Sequence, residues 1–323
     1  MKQRSPRSAI RLFLALAALT MSIPSAPAQR PVSNPATDAG ESSKDDAQSL
    51  SKQTLLGKQA GQEATNTIGQ LFCWCPPGHL TMGSPPTEAE RSYDEKQVEV
   101  TLTHGFWMSK FEVSEREFRT VTRRSPRNSL GDSYPVSDTK SGDARRFAEM
   151  LTKAEHENGH LPADWTYSLP TEAEWEYACR AGTRAAYSFG NDVRQLSFHG
   201  NFADRNLLAF NNSEYRYASK SLDDGYARAA PVGSYPANPW GLCDMHGNVW
   251  EWCADAYQDQ LPGGRDPVGP PKGTDRGKVI RGGSWLSHSH YCRSAMRQAH
   301  HDLNSAPYIG IRIVLRKKRT GDN

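Results

Sequence analysis

The stretch Arg281-Gly-Gly-Ser-Trp285-Leu-Ser-His-Ser-His-Tyr291-Cys292 constrains this chain of 323 residues more than any other. Two adjacent glycines let the backbone turn through conformations closed to residues that carry a Cβ. Ser, His and Cys side chains follow that turn. A few dozen residues earlier, Gly241-Leu-Cys-Asp-Met-His-Gly-Asn-Val-Trp-Glu-Trp252 repeats the combination of turn glycine, polar group and tryptophan. The 26 glycines, 21 prolines and eight tryptophans point to a loop-rich fold around an aromatic core. The chain lacks the sustained helix–strand alternation of a doubly wound sheet.

Local signals place the regular elements between the loops. Leu71 to Trp74 reads as a short strand ending in a Pro-Pro-Gly turn, and Met82-Gly-Ser84 opens a polar loop. Gln97 to Thr103 alternates with period two, as a half-buried strand does, and Gly105 to Val113 is a further strand candidate. Ser114 can cap a helix that runs through Val121. Ala144, Phe147, Ala148 and Leu151 recur at helical spacing between Asp143 and Glu155. Thr171-Glu-Ala-Glu174 is a capping box: hydroxyl and carboxylate each satisfy a backbone donor at the start of a helix that ends near Gly182.

The N-terminus reads as a targeting segment. Lys2, Arg4, Arg7 and Arg11 precede an apolar run, Leu12 to Met21, which is too short to span a bilayer. Ala26-Pro27-Ala28 offers a cleavage site, so residues 1–28 are expected to be a signal peptide and the protein to be exported, periplasmic or extracellular. Residues 29–65, polar and without aromatic side chains, are expected to be a disordered linker, because they carry too little apolar surface to offset ordering entropy. Residues 66–318 form the globular domain, with 319–323 as a tail. A net charge of +3 gives no electrostatic case for nucleic acid.

Leu169-Pro-Thr-Glu-Ala-Glu-Trp-Glu-Tyr-Ala-Cys-Arg-Ala-Gly182 resembles the signature helix of the formylglycine-generating enzyme (sulfatase-modifying factor) family. Pro231-Val-Gly-Ser, Gly247-Asn-Val-Trp-Glu-Trp252, Arg281-Gly-Gly-Ser-Trp285 and Ile309-Gly-Ile-Arg312 are similar to that family's later motifs, in order. The fold this implies is α+β, a loop-rich variant of the C-type-lectin fold with little regular secondary structure. The activity it implies is oxygen-dependent conversion of a sulfatase cysteine to formylglycine, with a peptide or protein substrate. Calcium is implied at two structural sites. Asn201, Phe202, Asp224 and Tyr226 match one; Asp244, Gly247, Val249 and Glu251 match the other, which is the more strongly expected. Residue types alone would instead be satisfied by ordinary turn hydrogen bonding.

The resemblance also implies a pair of copper-binding cysteines. Cys292 matches the second, but Ser287 stands at the first, and a hard hydroxyl cannot replace a thiolate for copper(I). Ser284 and Trp250 match positions that line the family's active site, and Tyr308 stands where the oxidases carry an asparagine. Copper oxidase chemistry is therefore not expected. Two classes remain: a diverged enzyme that modifies a peptide or protein, with Cys292, Ser284, Ser287 and Trp250 at its centre, and a non-catalytic ligand-binding module on the same scaffold. The six cysteines, Cys73, Cys75, Cys179, Cys243, Cys253 and Cys292, suit disulfides in an exported chain. Cys253 is the preferred partner for Cys292. The alternative is a free thiolate at Cys292, alone or with His288 or His290, which on a strand would share a face.

Overall fold

The computed structural model describes residues 48–50, 55–210, 215, 217–270 and 276–319. In chain order these form β1 (Gln48–Ser49), β2 (Glu63–Thr65), β3 (Leu71–Cys75), β4 (Gly78–Met82), β5 (Val98–Leu102), β6 (Phe106–Ser109), α1 (Glu115–Thr122), α2 (Ser141–Glu157), β7 (Trp165–Ser168) and α3 (Glu172–Arg180). Then follow α4 (Arg205–Phe210), β8 (Trp250–Ala256), β9 (Gly264–Arg265), β10 (Lys278–Arg281), β11 (Arg297–His300), β12 (Ile309–Gly310) and β13 (Val314–Lys317), with single 3-10 turns at Val193–Phe198 and Ser289–Cys292.

The strands make three sheets. One runs β1-β2-β3-β6-β13-β7, a second β11-β10-β8-β12 and a third β4-β5-β9. Most pairs are antiparallel, whereas β1/β2, β8/β12 and β5/β9 are parallel. The chain's end is woven into its middle: β13 lies between β6 and β7. Such non-local pairing leaves room for few helices, and the result is the expected α+β, loop-rich architecture.

The expected helices form for the expected reasons. Ser114 accepts from the Glu117 N–H while the Glu117 carboxylate accepts from the Ser114 N–H, and Thr171 and Glu174 repeat the exchange on α3. Helix α2 starts two residues before the expected position. The loop expected after Met82 is preceded by an unanticipated strand, β4, which pairs with β5 over five residues.

One boundary is corrected. The expected linker to residue 65 ends too late, because β1 and β2 join the large sheet, and Leu50, Leu55 and Ala64 are buried in its core. Burial of those side chains offsets the ordering entropy that the polar composition suggested would go unmet. The expected signal peptide and the linker up to residue 47 lie outside the described residues.

Every residue of α3 is buried, charged ones included. Glu176 bonds Arg180 at 2.8 Å and Arg281 at 2.5 Å, and Glu172 takes Arg297 in a two-pronged pair at 2.7 Å each. Burial alone would raise the Glu176 carboxyl, but Arg180 and Arg281 hold it below its ordinary value. Trp175 on this helix donates to Glu251 of β8 at 2.6 Å. In this way α3 fixes β8 and β10, the strands from which the two motif loops spring.

Candidate functional site

The glycines at the head of the key loop are required where they stand. Gly282 and Gly283 have φ of 97° and 80°, and a Cβ on Gly283 would lie 2.6 Å from the Cys292 sulfur. The tight turn therefore packs directly on Cys292.

Within the turn, Ser284 and Ser287 satisfy each other. Their hydroxyl oxygens are 2.9 Å apart; Ser287 Oγ also accepts the Ser284 N–H at 3.1 Å, and Ser284 Oγ accepts the Leu286 N–H at 3.3 Å. Both are buried, Ser284 fully and Ser287 to 8 % exposure. Cys292 is also fully buried, in a cluster with Ala186, Tyr187, Leu196 and Phe202. Burial first, and the charge of Asp224 second, push its thiol far above the ordinary range.

Neighbouring elements hold this arrangement. The Trp285 N–H donates to the Asn248 carbonyl at 2.9 Å, tying the two motif loops together. Trp250 lies on β8, and its N–H donates to the Tyr308 carbonyl. Its ring meets Tyr291 edge-on at 6.2 Å. Tyr217 donates to the Leu286 carbonyl at 2.9 Å. Its phenol is pushed up to about 12, by burial first and then by Tyr215, Tyr308 and Tyr291. Trp250 and these tyrosines make an aromatic wall beside the serine turn.

Two cysteine and histidine expectations are overturned. All six cysteines are free thiols, so the Cys253–Cys292 bridge is absent. Strand alternation explains it: Trp250 and Trp252 point into one core, so Cys253 points into the other, away from Cys292. His288 and His290 lie on a 3-10 turn rather than on a strand. Their Nδ1 atoms are 2.8 Å apart, and His288 caps the turn by accepting the His290 N–H.

Sequence reasoning did not single out His246. Its ring is buried and spans from Ser188 to the Cys292 carbonyl, pinning the backbone of the key loop. Its position in the tryptophan motif was the only sequence signal.

The two expected calcium sets differ in how well they suit a cation. At the first, Asp224 accepts the N–H groups of Phe202 and Tyr226 at 2.8 and 2.9 Å. Burial, and then Asp204, raise its carboxyl to about 8. Asn201 Oδ1 is buried beside this loop with no hydrogen-bond donor. An orphaned amide oxygen and a carboxyl that cannot easily ionise are both relieved by a hard cation.

At the second set, Asp244 Oδ1 is likewise orphaned. Glu251, however, is occupied: Arg312 donates to Oε1 at 2.8 Å and Trp175 to Oε2 at 2.6 Å. Each set thus holds one orphaned oxygen, Asn201 Oδ1 in the first and Asp244 Oδ1 in the second, while Glu251 is committed to Arg312 and Trp175. Among the described residues, no group of three or more His, Cys, Asp or Glu side chains is arranged to hold a metal ion.

Residues 57–317 match the sulfatase-modifying factor enzyme 1-like domain family. The chain is 28% identical to the formylglycine-generating enzyme of Mus musculus over 299 residues, covering 76% of this chain and 75% of that one. It is 39% identical to the formylglycine-generating enzyme of Thermomonospora curvata over 202 residues, 58% of each chain. The solved structure of PvdO from Pseudomonas aeruginosa superposes with a TM-score of 0.67 at 25% identity, covering 80% of this chain and all of that one.

Proposed function

This chain belongs to the sulfatase-modifying factor family, and we propose that it is an exported member that recognises a peptide or protein segment without copper-dependent oxidation of cysteine. The carrying observation is the serine turn. Copper(I) is held by soft, ionised sulfur. Here one candidate ligand is the Ser287 hydroxyl, engaged with Ser284 at 2.9 Å. The other is the Cys292 thiol, buried and held protonated. The residues do not fit the metal.

What persists is a surface for ligand recognition. Tyr217, Tyr291 and Tyr308, backed by the buried Trp250, supply aromatic area with polar tips, a combination suited to peptide side chains and backbone. A relative named formylglycine-generating enzyme makes a cysteine-containing peptide, such as a sulfatase segment, the first ligand to try.

Calcium would be held by Asn201, Asp224 and the carbonyls of Phe202 and Tyr226. Bound there, it would supply positive charge that ties the two loops together. Export rests on the basic start, the apolar run Leu12 to Met21 and the small residues Ala26 and Ala28. No helix among the described residues is long and apolar enough to cross a membrane.

The test is a titration of the protein with a sulfatase-derived cysteine peptide and its serine counterpart, followed by tryptophan fluorescence. Similar saturable binding of both peptides is expected, weakened by Tyr217→Ala, whose ring is exposed. No binding of either peptide would overturn the reading.

A further inference from the structure

The aromatic surface has a cation beside it. Arg228 is half-buried, and its guanidinium carbon lies 6.0 Å from the centre of the Trp285 ring. At that separation a guanidinium is attracted to the face of an indole. Among the described residues, Arg228 makes no ion pair and no side-chain hydrogen bond. The acids that precede it in the chain are engaged elsewhere. Asp223 accepts from Arg205, and from Asn206 at 2.7 Å. Asp224 accepts the N–H groups of Phe202 and Tyr226. Trp285 is 8 % exposed, and its Nε1–H is likewise without an acceptor. A charged donor and the indole beneath it therefore both lack a negative partner.

The two residues are held in place by one pair of asparagines. Asn201 Nδ2 donates to the Arg228 carbonyl at 2.8 Å and to Asn248 Oδ1 at 3.2 Å. Asn248 Oδ1 also accepts the Ala230 N–H at 2.8 Å, and the Asn248 carbonyl accepts the Trp285 N–H at 2.9 Å. Both backbone segments are thus fastened to the same point, and the indole face orients the guanidinium. A pre-ordered planar fork loses less freedom on binding than a mobile side chain does.

The position of Trp285 links this cation to the aromatic wall. The half-buried Tyr215, Leu286 and Tyr308 pack against its cluster, and Tyr215 meets Tyr217 edge-on at 5.8 Å. We propose that Arg228 is a specificity-determining residue of this surface, which selects peptides that carry an Asp or Glu side chain beside the segment lying on the tyrosines. The inference rests on the peptide-recognition reading above. The fork of one guanidinium matches the two oxygens of one carboxylate in a bidentate pair, and its single charge is balanced by it.

The experiment uses the full chain and the sulfatase-derived cysteine peptide, amidated at its C-terminus so that the only added carboxylate is the one under test. Versions with a single Asp or a single Asn at each position flanking the cysteine are titrated and followed by tryptophan fluorescence. At one position Asp is expected to bind about tenfold more tightly than Asn, the worth of a charge-assisted hydrogen bond. The advantage should shrink at about 0.5 M salt and disappear in Arg228→Gln, and Arg228→Glu should prefer Lys at that position.

Peptides that bind with no advantage for Asp at any position overturn the proposal, as does an advantage that Arg228→Gln retains; in both cases peptide recognition itself still stands. Failure of every peptide to bind overturns both readings together. Should Arg228→Gln not fold, Arg228→Lys takes its place. Its ammonium lacks the fork, so the advantage should fall, and an unchanged advantage overturns the proposal.

Discussion

Replacing Arg312 with methionine tests whether the family's Ile-Gly-Ile-Arg motif is here a structural device. Arg312 is fully buried. Its guanidinium donates to Glu251 at 2.8 Å, to the carbonyls of Ser109 and Lys110 at 2.8 and 2.9 Å, and to that of Cys243 at 2.9 Å. It is also the cation that faces Glu112 and Asp244. Methionine fills similar space but leaves three carbonyls without a donor and three buried acids without their cation.

Removing one partner of a buried pair costs about 3–5 kcal/mol. Adding each lost carbonyl bond at about 1–3 kcal/mol would overshoot, because the acids can protonate and the loop can relax. About 4 kcal/mol is the expected loss, a large part of the 5–15 kcal/mol typical of a whole domain.

The sign of its pH dependence is fixed. Burial already raises Glu112, Asp244 and Glu251, and Arg312 pulls each of them down. Without it their folded values rise further. A carboxyl raised in the folded state contributes stability that is lost as pH rises. The deficit of Arg312→Met therefore grows between pH 5 and pH 8, and Arg312→Lys recovers only part of it, since an ammonium lacks the planar fork. Urea unfolding followed by tryptophan fluorescence at both pH values measures this. A loss below about 1 kcal/mol, or the same loss at both pH values, would refute the reasoning.

Further predictions follow from the loops and the thiols. In chelator the protein loses stability as pH rises from about 4 towards 8, because Asp224 is held near 8 when folded. Calcium at millimolar concentration raises the melting temperature and flattens that dependence, and Asn201→Ala removes both effects; scanning calorimetry with and without chelator decides. All six cysteines are buried and free, and are expected to be silent to Ellman's reagent in the native protein. Six thiols should appear on unfolding without reductant, and a lower count would reveal a disulfide.

The sequence made some parts of this molecule legible and hid others for physical reasons. The capping boxes at Ser114 and Thr171 are local chemistry, and both helices begin where those side chains dictate. The two glycines before Ser284 likewise announced a turn that no other residue could make. Strand β2 was hidden because its three residues owe their structure to β3, which no property of a polar segment discloses.

Cys253 was misassigned by reasoning from neighbouring motifs, although its position one residue after Trp252 already placed it on the opposite face of a strand. The acids around Arg312 come from Glu112, Asp244 and Glu251, so their meeting depends on the whole topology. That convergence also hides a partner of Glu251, which is engaged by Arg312 in the fold.

On the proposed reading this family member lacks a copper oxidase centre. Its most direct test is anaerobic titration of the reduced protein with copper(I) against a chromogenic chelator, followed by admission of oxygen with a cysteine-containing sulfatase peptide. The chelator is expected to retain the copper and the peptide to keep its cysteine. Stoichiometric copper binding together with appearance of the peptide aldehyde would contradict it.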